Sequence, residues 1–344
     1  MKDSSYGISC LQTEIHVIQN PADKERLVKH NLERSIELAA HAVATEESRI
    51  LILPEAWLQG FVPNRSISDW LKVCIAIPGP ETEKLGEFCR RHETYLAGAA
   101  FERSDTWPDR MFNTAFIVGP SGEVELKYRQ VNPETLNGLV PATSPADVLD
   151  EYPRREGELP LFPVLDTPLG RLACLVGNDV NFFEHTRSLV LRGAEILLHL
   201  TAETTAAAYP VWEDMRRARA YENVAYFASV NNGGLLGSGA PRARSRGHSE
   251  IINYEGKPLA TADSAGEIIL CATISLQRLR YRRTQVRMNF PAQSKIKMYA
   301  PTYRKAERVP NNAWASRLLE SPDEGPQLVR KVIEAVSKRS AVKA

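Results

Sequence analysis

The chain has 344 residues, 43% hydrophobic and 25% charged, with 43 Lys and Arg against 42 Asp and Glu for a formal net charge of +1. That balance is ordinary for a soluble globular protein; it argues against a nucleic-acid or membrane surface as the main partner and leaves a small molecule as the expected one. Cys10, Cys74, Cys89, Cys174 and Cys271 are scattered without CxxC spacing, which disfavours a disulfide framework or zinc ribbon. The opening Met-Lys-Asp-Ser-Ser-Tyr-Gly lacks a signal-peptide apolar run, and no stretch reaches the roughly 18 apolar residues of a membrane span, so a cytoplasmic location is expected.

Residues 22–45 carry Val28, Leu32, Ile36, Ala39 and Val43 at steps of three and four, which predicts a helix, and residues 49–53 follow as a buried strand. A helix is predicted over 80–91, a strand near 95–101, and a hairpin pairing 112–118 with 123–127 across Pro-Ser-Gly. Residues 131–165 hold prolines and acidic residues without periodicity and read as a long loop, of a kind that in compact domains is usually functional or mobile. The helix–strand alternation then repeats: strand 171–177, helix 183–192 ended by Gly193, strand 195–200, helix 210–223 and strand 225–231. A hairpin over 250–262 and a last strand at 267–275 complete a domain spanning 1–300. Residues 301–344 read as a C-terminal arm, with Val329, Val332, Ile333 and Val336 as an amphipathic stripe for a partner subunit.

Four segments, in order, carry a resemblance. Ile50-Leu51-Ile52-Leu53-Pro54-Glu55 is a buried strand running into a carboxylate; Leu126-Lys127-Tyr128-Arg129-Gln130 follows; Cys174-Leu175-Val176-Gly177-Asn178-Asp179 leads into Phe182-Phe183-Glu184; Arg219-Ala220-Tyr221-Glu222-Asn223 precedes Gly247-His248-Ser249-Glu250. Taken together they resemble the nitrilase, or carbon–nitrogen hydrolase, superfamily. The resemblance implies an α/β fold, a nitrilase-like αββα sandwich that pairs into a four-layer stack on dimerisation, in a homodimer or larger homo-oligomer. It implies that Glu55 is the acid/base, that Gln130 stands where the family has its catalytic lysine, and that Gly177 stands where it has its nucleophilic cysteine.

A glycine has no side chain to attack a carbonyl, so the covalent acyl-enzyme route is closed. An amide at 130 can donate to an oxyanion, at about half the strength of a charged donor. Lys127 matches the first lysine of the family stretch, not the catalytic one. Trp57 and Phe61, just beyond Glu55, are expected to line the pocket and desolvate its carboxyl, with Glu134 and Asn178 as further substrate-binding candidates. Asp179 and Glu184 read as structural carboxylates, His199 and His248 as core histidines, Cys174 as an inert core thiol, and Arg278, Arg280, Arg282, Arg283 and Arg287 as a solvated or subunit-facing surface. No histidine pair has metal-ligand spacing, and neither metal nor cofactor is expected. Three functions are compatible with this pattern: a thiol-independent enzyme performing cyclisation, hydration, dehydration or elimination through Glu55; a non-catalytic ligand-binding or assembly protein; and a conventional amide or nitrile hydrolase with an unexpected nucleophile.

Overall fold

A computed structural model describes residues 5–157, 161–203, 211–238, 245–306, 308–321 and 323–341. In chain order the elements are β1 (Ser5–Gln12), β2 (Glu14–His16), α1 (Lys24–Glu46), β3 (Ser48–Glu55), α2 (Ile67–Val73), α3 (Pro80–His92), β4 (Tyr95–Ser104), β5 (Trp107–Val118), β6 (Val124–Arg129), α4 (Tyr152–Glu156), β7 (Leu165–Thr167), β8 (Gly170–Val176), α5 (Phe183–Leu191), β9 (Ile196–Leu200), α6 (Trp212–Asn223), β10 (Tyr226–Val230), β11 (Gly234–Leu236), β12 (Glu250–Ile252), β13 (Pro258–Thr261), β14 (Ile268–Ser275), α7 (Leu276–Thr284), α8 (Phe290–Gln293), α9 (Ile296–Lys305) and α10 (Glu324–Ala341).

The strands form two mixed six-stranded sheets, ordered β14-β1-β3-β4-β5-β6 and β13-β12-β10-β9-β8-β7, with β2 and β11 as a small separate pair. Each large sheet has a parallel trio, β1-β3-β4 and β8-β9-β10, flanked by antiparallel strands. Parallel neighbours need a crossover, and α1, the α2–α3 pair, α5 and α6 supply them. The two halves expected from the repeated alternation are these two sheets.

Strand alternation then builds the cores. Ile50 and Ile52 of β3, Ala115 and Ile117 of β5, and Leu126 and Tyr128 of β6 share one cluster with Leu172, Cys174 and Val176 of β8 and Leu198 of β9, so the sheets meet face to face. Leu51 and Leu53 point the other way, into a cluster with α1 and α3. Helices α5 and α6 cover the second sheet through Leu189, Trp212 and Ala220. Each fully buried aliphatic side chain contributes about 1.5–3 kcal/mol of transfer free energy.

Residues 131–157 are mostly irregular, as expected, broken by one-turn helices at Glu134–Asn137 and Pro145–Val148 and by α4. The described part of the C-terminal arm returns onto this loop: Asn312 N–H donates to the Ala146 carbonyl at 2.7 Å, Arg110 donates to the Trp314 carbonyl at 2.6 Å, and α10 packs on the Glu134–Asn137 turn. A Cβ at Gly325 would lie 2.0 Å from the Thr135 carbonyl oxygen, so only glycine permits this approach. No described helix is long and apolar enough to cross a membrane.

Candidate active site

The site forms where strand ends meet between the sheets, and alternation decides which side chains enter it. In β5, Asn113 lies two residues before Ala115, on the side of the shared core; Gln130 follows Tyr128 on the same side. In β3 the pairing with β4 shifts register between Ile52 and Glu55, across Pro54, which has no N–H to give to the ladder. That shift brings Glu55 to Asn113 instead of leaving it with Leu51 and Leu53. The Glu55 N–H points across to the second sheet, at the Thr201 carbonyl 3.3 Å away.

Asn113 is the hub. Its Nδ2 donates to Glu55 Oε1 at 2.6 Å and to Gln130 Oε1 at 2.9 Å. Gln130 in turn directs its Nε2 at the Val176 carbonyl (2.8 Å) and the Asn132 carbonyl (3.3 Å), so both of its N–H groups face backbone oxygens. Glu55 is 4% exposed, and burial pushes its carboxyl up to about 8; the Asn113 hydrogen bond opposes this, while the nearby Glu134 and Asp179 carboxylates raise it further. A carboxyl with such a value is mostly protonated at neutral pH, an acid able to give a proton and take it back.

Gly177 begins the turn after β8 with φ of +42°, a left-handed conformation that suits glycine. A Cβ there would sit 2.7 Å from Glu55 Oε2. The carboxyl of Glu55 therefore occupies the space next to the elbow where a side chain at 177 would begin. His199 holds the elbow from behind: its Nε2 lies 2.9 Å from the Gly177 carbonyl oxygen and its Nδ1 2.9 Å from Ser229 Oγ. A carbonyl only accepts, so Nε2 carries the proton and Nδ1 accepts from the serine hydroxyl. Burial chiefly, with the Arg216 charge adding, lowers His199 to about 3, and the ring stays neutral.

Asp179, fully buried, ties elbow to loop. It accepts from Tyr128 Oη at 2.7 Å, from the Val176 N–H at 3.1 Å, and from the Asn132 N–H and Nδ2 at 3.1 and 3.0 Å. These four bonds make it a structural carboxylate. Asn178 is half-buried, its Oδ1 accepting from Asn181 at 2.6 Å and its Nδ2 3.4 Å from the Asn132 carbonyl. Glu134 sits on the one-turn helix after Asn132, half-buried and held by Asn137 at 2.5 Å; burial, with Asp179 adding, raises its carboxyl.

Glu55, Gln130, Gly177, Glu134 and Asn178 thus lie around one elbow. Trp57 and Phe61 take another place: Ala56, with φ of +52°, turns the chain, and both rings join the outer core, Phe61 against Phe101 with centroids 5.5 Å apart. Glu55 is desolvated by its burial between the sheets. Lys127 alternates away from Gln130 and pairs with Glu102, so its ammonium does not reach the side of the sheet that Gln130 faces. Cys174 is buried in the shared core, where desolvation pushes its thiol up. Arg280 forks onto Glu195 at 2.7 and 2.9 Å and Arg283 donates to the Val224 and Ala194 carbonyls, so part of the basic run braces its own chain.

Sequence reading missed Asn113. The available signal was an Asn-Thr pair inside the otherwise apolar run from Met111 to Val118, since a buried polar side chain must find partners. Among the described residues, no group of three or more His, Cys, Asp or Glu side chains could hold a metal ion.

Comparison with known proteins bears on the fold and the family. The chain is 28% identical over 259 residues to a formamidase of Bacillus cereus, covering 74% of this chain and 70% of that protein. Its fold is similar to that of a carbon-nitrogen hydrolase from Helicobacter pylori (TM-score 0.70, 21% identity, 88% of this chain and 99% of that one). It is also similar to that of an amidase from Nesterenkonia sp. (TM-score 0.64, 21% identity, 88% and 98%), a variant of which carries the acetamide moiety of fluoroacetamide covalently at its active-site cysteine. The model of the carbon-nitrogen hydrolase family matches residues 9–284, most of the chain. The chain belongs to the carbon-nitrogen hydrolase, or nitrilase, family.

Proposed function

We propose that this protein is a nitrilase-superfamily enzyme with a non-standard site, in which Gly177 and Gln130 have replaced the nucleophilic cysteine and the lysine, and Glu55 works alone as acid/base on a small amide-, imine- or carbonyl-containing metabolite. The observation that carries this reading is the Glu55 carboxyl itself, buried beside a glycine elbow, raised to about 8 and held by Asn113. In the protonated form Glu55 gives its proton to a carbonyl oxygen or imine nitrogen and then, as carboxylate, takes one from the attacking or adjacent group. That cycle suits cyclisation, hydration, dehydration or elimination, and needs no covalent intermediate. The Asn178 backbone amide is assigned to the polarised oxygen, and Gln130, whose donors face carbonyls, to positioning Asn113.

The test is incubation of the native protein and Glu55→Gln with metabolite extract from the source organism, followed by mass spectrometry. A compound consumed only by the native protein supports the reading, and its mass change names the reaction. Turnover that survives in Glu55→Gln overturns the mechanism. One feature favours the second reading, a non-catalytic ligand-binding or assembly protein: the polar groups around the elbow are bonded mainly to one another, as in a scaffold. A ligand that co-purifies and is returned chemically unchanged would favour it.

Dimerisation into the four-layer stack is part of the proposal. It is supported by the apolar side chains that α5 and α9 expose, among them Phe183, Leu191, Met298 and Tyr299. A reducing cytoplasmic setting is supported by five free cysteines, four of them buried.

A further inference from the structure

We propose that the groove between the β12–β13 turn and helix α7 is a second binding site, for a small phosphate monoester that carries a planar ring. It stands on its own geometry and needs no particular reading of Glu55. Strand β10 separates the two places. Tyr226, its first residue, lines a cavity of this groove; Val230, its last, accepts the Thr201 N–H at 2.9 Å, and the Thr201 carbonyl faces the Glu55 N–H. Four residue steps of strand, about 13 Å, lie between those ends.

The main cavity has a volume of about 510 Å³ and is lined by Tyr254 and Glu255 of the turn and by Gln277, Arg278, Tyr281 and Arg282 of α7. Small-molecule sites span about 300–1,000 Å³. A cavity of about 320 Å³ adjoins it, with Tyr254 and Arg278 lining both. Helical spacing sets this wall. Leu276 and Leu279 bury one face of α7, and the other carries Arg278 and Arg282 in one i,i+4 row and Gln277 and Tyr281 in the next. Arg280 and Arg283 of the same helix are engaged by Glu195 and by backbone carbonyls. Among the described residues neither Arg278 nor Arg282 pairs with a carboxylate; Arg282 gives Nη2 to the Met288 carbonyl at 3.0 Å and leaves Nη1 without a partner. The carboxylate in the lining, Glu255, has the Lys257 ammonium 3.3 Å away, which matches its charge. The groove is therefore net positive.

A third donor joins the two guanidiniums. Burial and the Glu255 charge raise the Tyr254 hydroxyl above its ordinary value, while the nearby Arg278 and Arg282 charges oppose this, so it keeps its proton. Tyr226 backs the Tyr254 ring edge-on with centroids 5.3 Å apart. A carboxylate is satisfied by one guanidinium fork. A phosphate monoester offers three tetrahedral oxygens and two charges, enough for two guanidiniums and a hydroxyl approaching from different sides. Beside that charged row Tyr281 is 69% exposed, with the Gln277 amide one turn away. An exposed phenol ring next to an amide is a stacking platform for a planar ring that has polar edges. The class that meets both rows is the nucleoside monophosphate.

The experiment is calorimetric titration of the full-length protein with adenosine 5′-monophosphate, ribose 5-phosphate and adenosine, which separate the phosphate from the ring. The monophosphate is expected to bind saturably, about tenfold or more tighter than adenosine, the worth of a charge-assisted bond. It should also bind about fivefold or more tighter than ribose 5-phosphate, the worth of one stacked base. Arg278→Gln removes an exposed side chain that the fold does not use, so it should keep the native melting temperature while weakening both phosphates about tenfold and leaving adenosine unchanged. Tyr281→Ala should bring the monophosphate down to the level of ribose 5-phosphate, and Glu55→Gln should change none of the three. Equal binding of monophosphate and adenosine, monophosphate binding unchanged in Arg278→Gln, or no saturable binding overturns the site. Equal binding of the two phosphates, unaffected by Tyr281→Ala, overturns the ring-bearing class. If Arg278→Gln instead breaks an oligomer in sedimentation velocity and leaves the monophosphate titration unchanged, the groove is an interface between copies and the proposal fails.

Discussion

Adding one methyl group at position 177 probes the elbow, the buried carboxyl and their coupling at once. In Gly177→Ala the new Cβ starts 2.7 Å from Glu55 Oε2 and 3.1 Å from Oε1, well inside contact distance. The backbone at φ of +42° costs a residue with a Cβ about 1–2 kcal/mol. Pushing Glu55 off Asn113 forfeits a buried hydrogen bond and leaves an unpaired donor, about 1–3 kcal/mol more. The sum, about 2–5 kcal/mol, is measurable by urea denaturation at pH 7. In a Glu55→Ala background the second part disappears and only the backbone cost of about 1–2 kcal/mol remains. A cycle over native, Gly177→Ala, Glu55→Ala and the double variant is therefore expected to show coupling of at least about 1 kcal/mol. Additive destabilisation would refute the claim that Glu55 fills the space beside the elbow.

Stability should carry the signature of Glu55. Its folded value of about 8 lies above the ordinary 4.5, so between those pH values the native state holds a proton the unfolded state has lost, and stability falls as pH rises through that window and levels off above about 8. Glu55→Gln removes the effect: the difference in unfolding free energy between variant and native protein should grow from pH 5 to 8 by a few kcal/mol, on the order of the linkage, and pH-independence of that difference would contradict the raised value. Asn113→Ala removes the hydrogen bond that opposes the shift, so the Glu55 midpoint, read by carbon NMR of labelled glutamate, should move further alkaline; a move to lower pH would break the assignment. If Gly177 and Gln130 stand at the family's catalytic positions, as proposed, the double variant Gly177→Cys/Gln130→Lys should gain a covalent adduct with fluoroacetamide by intact-mass measurement, because a lysine at 130 favours the ionised Glu55 that a thiol requires; a folded double variant that stays unmodified would overturn the assignment of these two positions. Cys174, enclosed between the sheets, should resist iodoacetamide in the native protein and react only on unfolding, and Cys174→Ala should leave Glu55-dependent turnover in place.

Periodicity located the elements whose amphipathicity is simple. Helix α1 and strands β3, β8 and β9 follow the spacing of their apolar residues, and the two halves inferred from alternation are the two sheets. Strand β1 left no such trace although it lies inside the first sheet, because Ser9 and Gln12 interrupt its apolar run. Both are buried and satisfied by distant partners, Ser9 by Ser48 and Cys271, Gln12 by the Ser264 and Gly266 carbonyls. The resemblance to the family pointed to Glu55, Gln130 and Gly177, which the structure sets near one another, but it could not point to partners that come from a different strand. Asn113 precedes Gln130 by one hairpin, and only the register of β5 against β6 brings them together. Trp57 and Phe61 show the converse, since the turn at Ala56 separates them from the carboxyl they follow in sequence.

The contact of Gly325 with the Thr135 carbonyl makes the far end of the chain a neighbour of Glu134. Loss of the first turn of the C-terminal helix therefore removes packing from the turn that carries Glu134. A bulky residue at position 325 is likewise expected to be felt at Glu134, although a long loop and the arm hold the two far apart in sequence.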